Sequence, residues 1–322
     1  MNEETVKLPE TLQEAITYFA DETRALDFMV SLRWQNGKVT CPHCLSDKVT
    51  FLATQKRWKC KGCRKQFSAK NGTIFEDSAL PLSKWFPAFW LIVNAKNGIS
   101  SYEIGRSLGV TQKTGWFMLQ RIRLAMQNGS IVKFGGTVEV DETFIGGKAR
   151  NMHKGKRKVK GTGPMAMTPV QGLLQRHAGG SRVIAKVMKN RRRIEAQKNV
   201  VEYVLKGSEV FTDALPSNNG LKAEYNHAVV DHAERYVDGK VHTNGLENFW
   251  CLLKRTIKGT YVNVEPFHLF RYLDEQAFRF NERKDNDQGR FLKTLEGILG
   301  KRLTYKNLIG QDGGDLLPQA AV

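Results

Sequence analysis

The chain has 322 residues and a formal charge of +18 at neutral pH, an excess that favours a polyanionic partner, with the phosphate backbone of nucleic acid the first to consider. A hydrophobic content of 41% and an aromatic content of 10% exclude global disorder and leave enough apolar surface for a sizeable core. The longest apolar run, Trp85 to Val93, is too short to span a bilayer and contains Pro87, and Met1-Asn2-Glu3-Glu4 carries acid where a signal peptide carries base, so a soluble, cytoplasmic, nucleoid-associated protein is expected.

Residues 11 to 34 read as helical, with Leu12, Ala15, Ile16, Phe19, Leu26, Phe28, Met29 and Leu32 in the apolar positions. Cys41-Pro42-His43-Cys44 follows, then fifteen intervening residues and Cys60-Lys61-Gly62-Cys63. Four soft thiolates from two CxxC knuckles suit tetrahedral zinc, and a closed shell of Cys41, Cys44, Cys60 and Cys63 makes that zinc structural. Val49 to Leu52 and Arg57 to Lys59 are the expected strands of the connector. Trp85 to Asn94 is expected to be helical, with Pro87 tolerated in its first turn. Ser100 to Leu108, the turn Gly109-Val110 and Thr111 to Met126 match a helix-turn-helix, although an ordinary pair of antiparallel helices shares that pattern.

From Thr137 the period changes to two. Thr137, Glu139 and Asp141 share one face of a strand and Val138 and Val140 the other. An Asp inside a strand is unfavourable, so it marks either a solvated edge or a site. Between Lys148 and Lys160 the chain carries seven basic residues and no acid: Lys148, Arg150, Lys154, Lys156, Arg157, Lys158 and Lys160. Such a block is a solvated loop and a candidate phosphate-contacting arm. Met165 to Leu174 and Arg182 to Val187 read as strands joined through Gly179-Gly180, and Ile194 to Leu205 as a helix. Glu209 to Asp213 reads as a short strand ending in a carboxylate, where α/β folds often carry site residues and where turns also start. A further short strand is expected at 226 to 230.

In His242 to Arg255, the apolar residues Leu246, Phe249, Trp250 and Leu253 recur at helical spacing, continued by Ile257. Glu247 and Lys254 fall two turns apart on a neighbouring stripe. Asn244 followed by Glu247 is also close to a capping box, so a local structural role competes with a chemical one. Pro266 to Asn281 is amphipathic, with Arg271, Arg279, Arg283 and Lys284 keeping it basic, and the tail from Gly310 to Val322 is expected to be loose. The chain divides into 1–75 (helix and ribbon), 76–130 (helix-turn-helix-like), 131–300 (catalytic) and a tail, 301–322.

Asp141, Asp213 and Glu247 therefore fall in the order strand, strand, helix, with 33 residues between the last two. Carboxylates are the hard ligands that magnesium or manganese needs for phosphodiester chemistry. The four-cysteine ribbon, Val138-Glu139-Val140-Asp141-Glu142-Thr143-Phe144-Ile145-Gly146-Gly147, Phe211-Thr212-Asp213, His242 through Trp250 with Lys254-Arg255, and Arg271 to Asn281 together resemble prokaryotic insertion-sequence transposases that join a zinc ribbon to a DDE-type RNase H-like core. The resemblance implies an α/β fold with an RNase H-like mixed sheet flanked by helices. It implies Asp141, Asp213 and Glu247 as ligands of catalytic Mg2+ or Mn2+, and Lys254 as a DNA contact beside Arg255. The third position varies within that family, so Asn244 stands next to Glu247 as a secondary candidate. The expected partners are double-stranded DNA, as element ends and as target, and further copies of the chain on that DNA. A DNA-binding regulator, or a decayed transposase, that retains the ribbon without catalysis is the alternative.

Overall fold

The computed structural model describes residues 7–127, 132–147, 167–190, 192–213, 220–230 and 241–311. The chain forms two compact units, one of residues 1–127 with 285–316 and one of 128–284 with 317–322. In the first, helices α1 (Leu12–Ala20) and α2 (Glu22–Arg33) replace the single helical stretch expected from periodicity. Asp21 makes the break: its carboxylate accepts from the amides of Thr23 and Arg24 at 2.7 and 3.3 Å, so α2 begins afresh. Strands β1 (Val49–Leu52), β2 (Arg57–Cys60) and β3 (Gln66–Phe67) form an antiparallel ribbon, with Trp58 stacked on Phe67. Helix α3 (Leu82–Asn94) starts three residues earlier than expected, so Pro87 lies in its second turn and one backbone hydrogen bond is lost there. Helices α4 (Ser101–Leu108) and α5 (Gln112–Ala125) form at the two expected stretches, joined by a short turn. Ser100 and Glu103 form a capping box, Gly109 ends α4 at φ +61°, and a Cβ on Gly115 would stand 2.8 Å from the Ser101 carbonyl, so the two helices cross very closely.

The second unit is a five-stranded mixed sheet of β4 (Thr137–Ile145), β5 (Thr168–Gln175), β6 (Arg182–Val187), β7 (Glu209–Asp213) and β8 (Asn226–Val230) in the order β6-β5-β4-β7-β8. Strands β5 and β6 run antiparallel as a hairpin beside β4, whereas β7 and β8 run parallel to it. Helix α6 (Arg193–Tyr203) enters between β6 and β7 and packs Val200 and Tyr203 on Val138, Val140, Leu173 and Val210. On the opposite face, α7 (Asn244–Thr256) and α8 (Leu269–Asn281) cover β4, β5 and β6 through Leu246, Phe249, Trp250, Leu253, Leu273 and Phe280. Between them lies a five-residue π-helix, Ile257–Tyr261. Two of the arginines expected to keep α8 basic are buried. Arg279 pairs with Glu275, which also accepts from Tyr261 Oη at 2.5 Å, so that charge is spent inside the fold.

The chain then returns to the first unit. Helix α9 (Asp287–Glu296), which the periodicity reading omits, sets Phe291 against Phe19, Phe28, Phe86 and Trp90. Residues 285–300, grouped by sequence with the catalytic segment, thus belong to the helical unit. A short α10 (Tyr305–Leu308) follows, its Leu308 fully buried; the basic block 148–160, and all but Gly310 and Gln311 of the tail expected to be loose, lie outside the described residues.

Candidate active site

Asp141 sits in the central strand of the sheet, not on a solvated edge. Strands β4 and β7 pair in parallel with Val140 opposite Thr212, so Asp213, the last residue of β7, stands level with Asp141. Alternation puts Glu139 and Asp141 on the same face as Phe211 and Asp213. That face is the one α7 crosses. Trp250 Nε1 donates to Asp141 Oδ2 at 2.9 Å, and the Glu142 amide donates to Oδ1 at 2.7 Å. Burial pushes the Asp141 carboxyl up to about 6; these two donors oppose the shift, and the negative charges of Asp213 and Glu247 add to it. All three acids therefore act on one electrostatic neighbourhood. Their donor set is hard oxygen, and a divalent cation would relieve the repulsion that raises Asp141. Among the described residues only the cysteine cluster gathers three or more ligand atoms within 4.8 Å of one another, so the three carboxylates are more widely spread than a closed metal shell.

Glu247 and Asn244 are both exposed on the first turn of α7, Lys254 is half-buried two turns on, and Arg255 is exposed. The capping arrangement suggested by Asn244 and Glu247 is not formed: Thr243 occupies the cap position and makes no side-chain cap bond. A more distant group caps the helix instead. Glu139 Oε2 accepts from the Leu246 amide at 3.0 Å, sharing that N–H with the Thr243 carbonyl. The other Glu139 oxygen accepts from Arg176 Nε at 2.7 Å, and Arg176 Nη2 donates to His242 Nδ1 and to its carbonyl at 2.6 and 2.7 Å. Two glycines permit this approach. A Cβ on Gly172, opposite Asp141 on β5, would lie 2.6 Å from the Trp250 ring, and one on Gly245 would lie 2.8 Å from Glu139 Oε2.

In the ribbon, the Sγ atoms of Cys41 and Cys63, and of Cys44 and Cys60, lie 3.6 Å apart, and all four fall within 4.8 Å of one another. A tetrahedron with Zn–S bonds of about 2.3 Å has edges of about 3.8 Å, so the cluster fits structural zinc. The Cys63 amide donates to Cys60 Sγ and brings that thiol down to about 7, towards the thiolate that zinc requires.

Two comparisons with known proteins bear on this arrangement. Residues 133–281 match the family model of the ISXO2-like transposase domain, and residues 20–66 match that of the transposase zinc-ribbon domain. The chain thus carries, in order, the zinc-ribbon and transposase domains found in insertion-sequence transposases. It is also 29% identical over 297 residues to a protein of Halobacterium salinarum described as an uncharacterized protein in transposable element ISH50, covering 87% of this chain and 97% of that relative. No helix among the described residues is long and apolar enough to cross a membrane.

Within this transposase core, periodicity misses three side chains that build the site. Glu139 reads as part of a solvated strand face, but is 1% exposed. Trp250 reads as core filling, yet its indole N–H holds Asp141. Arg176 lies at the end of β5 with nothing in its local sequence to mark it. The basic candidates Lys148, Arg150, Lys154, Lys156, Arg157 and Lys158 lie outside the described residues.

Proposed function

We propose that this chain is an active DNA transposase that binds the ends of its element and carries out metal-dependent strand cleavage and strand transfer. The observation that carries the proposal is the parallel pairing of β4 with β7 beneath α7, which sets Asp141 beside Asp213 on the face where Trp250 binds Asp141. Asp141, Asp213 and Glu247, with Asn244 beside them, hold Mg2+ or Mn2+. Bound there, the ion supplies nucleophile activation and stabilisation of the leaving oxygen in an in-line displacement.

The protein's own groups do the rest. The indole of Trp250 fixes one Asp141 oxygen and the Glu142 amide the other, so the carboxylate is oriented before DNA arrives. Lys254 and Arg255, on the helix that bears Glu247, contact phosphate, as does the basic block from Lys148 to Lys158. Element ends are recognised by the ribbon and by α4–α5. Within α5 only its first two residues, Gln112 and Lys113, are exposed, and the start of the second helix is where such motifs meet base edges. Further copies of the chain assemble on the DNA, within the cytoplasm and on the nucleoid.

The test is a Mg2+-dependent cleavage assay on DNA carrying the element ends. We expect nicked and joined products from the wild type and a loss of at least about a thousandfold in Asp141→Ala, on the scale of removing a principal catalytic group. Undiminished cleavage by Asp141→Ala refutes the assignment; salt-sensitive binding with no cleavage by the wild type favours a regulator.

A further inference from the structure

We infer that Glu139, held by Arg176, is a positioning residue that sets the spacing between Asp141 and Glu247. The inference rests on the reading of those acids as metal ligands. Glu139 lies on the strand that carries Asp141 and caps the helix that carries Glu247. A buried carboxylate is a costly way to satisfy one amide, and Thr243, at the cap position, is of a residue type that commonly does so locally. A local cap, however, would fix only the start of the helix. Glu139 ties that start to the sheet.

The tie works with a second one. Glu139 and Asp141 are two residues apart on a strand, about 6.7 Å at strand rise. Their partners, the Leu246 amide and the Trp250 indole, are four residues apart on a helix, about 6 Å at helical rise. The two repeats nearly match, so α7 is pinned to β4 at two successive points, Glu139–Leu246 and Asp141–Trp250. One point alone leaves the helix free to pivot; two fix its slide and rotation. Glu247, next to Leu246, inherits that registration. Arg176 completes the device, joining Glu139 to the His242 carbonyl just before α7, so the chain entering the helix is held by the same carboxylate.

The experiment uses the full zinc-loaded chain and Mn2+ as the probe. Mn2+ affinity is read by electron paramagnetic resonance, together with single-turnover cleavage, DNA affinity and melting, in wild type, Glu139→Gln and Asp141→Asn. We expect Glu139→Gln to weaken Mn2+ binding about tenfold, to slow cleavage at limiting Mn2+ by a similar factor with recovery at high Mn2+, and to leave DNA affinity within about twofold. A folded Glu139→Gln chain with wild-type Mn2+ affinity overturns the inference. Asp141→Asn separates the two levels: if it keeps wild-type Mn2+ affinity, the metal-ligand reading fails, and if it alone loses Mn2+, only the positioning role fails. Should Glu139→Gln not fold, Arg176→Lys, which keeps the charge and gives up the forked reach to His242, carries the same expectation, and unchanged Mn2+ affinity there overturns it.

Discussion

Asp141 carries a conflict between stability and chemistry. Its folded carboxyl titrates at about 6, against about 3.9 in an unfolded chain, so the folded state holds the proton more tightly. The contribution of this group to stability is therefore full below about pH 4, falls as pH rises through the window from about 4 to 6, and leaves a cost of roughly 3 kcal/mol above it. Neutral pH gives the carboxylate the charge that the proposed metal would need and at the same moment makes it a liability. We predict that metal-free wild type loses stability relative to Asp141→Asn as pH is raised from 4 to 7, and that Mn2+ at pH 7 narrows the gap. Urea unfolding across that range checks it; a difference that does not change with pH would contradict the prediction.

At the scale of elements, the site depends on how closely α7 approaches the sheet. Gly172 has no side chain where β5 passes under Trp250 and Leu246, and an alanine Cβ there would lie 2.6 to 2.7 Å from both. The neighbours on that side are an indole and a branched leucine in a packed core, so the helix has to lift. Gly172→Ala is predicted to cost about 2 kcal/mol, typical of overpacking, and to break the indole bond to Asp141. Thermal unfolding and the near-ultraviolet circular dichroism of tryptophan would register both effects, and a variant with the wild-type spectrum and stability would exclude this account. The strand and helix order of this unit was legible because its signals are local: period two through β4 and β7, and period three to four through α7. The contacts that make a site of those elements were not legible. Glu139 meets Leu246 across 107 positions of sequence, and no window that sees one contains the other. Helix α9 could have been found, since Phe291 and Leu295 are spaced one turn apart and both are buried.

For the molecule as a whole, the charge of +18 sets the expected mode of association. Affinity for duplex DNA should fall steeply with salt, each neutralised phosphate contributing about 0.9 to the slope of log K against log salt. Replacing Lys154, Lys156, Arg157 and Lys158 together by glutamine is predicted to lower that slope by about 3.6, with each meeting one phosphate. Fluorescence anisotropy at graded salt measures it, and an unchanged slope would remove the basic block from the DNA-binding surface. Net charge announced the partner, but not which cations face it: Arg271 and Arg279 count toward the sum and are buried.

The return of the chain through α9 has a consequence for biosynthesis. The core around Phe19, Phe28, Phe86 and Trp90 is completed by Phe291, whereas residues 128–284 form the other unit in between. On the ribosome, the helices around Phe19 and Phe28 must therefore wait for Phe291 before their own interior closes. A message cut short after the ribbon and α5 yields a segment with an open interior, a ready substrate for proteolysis.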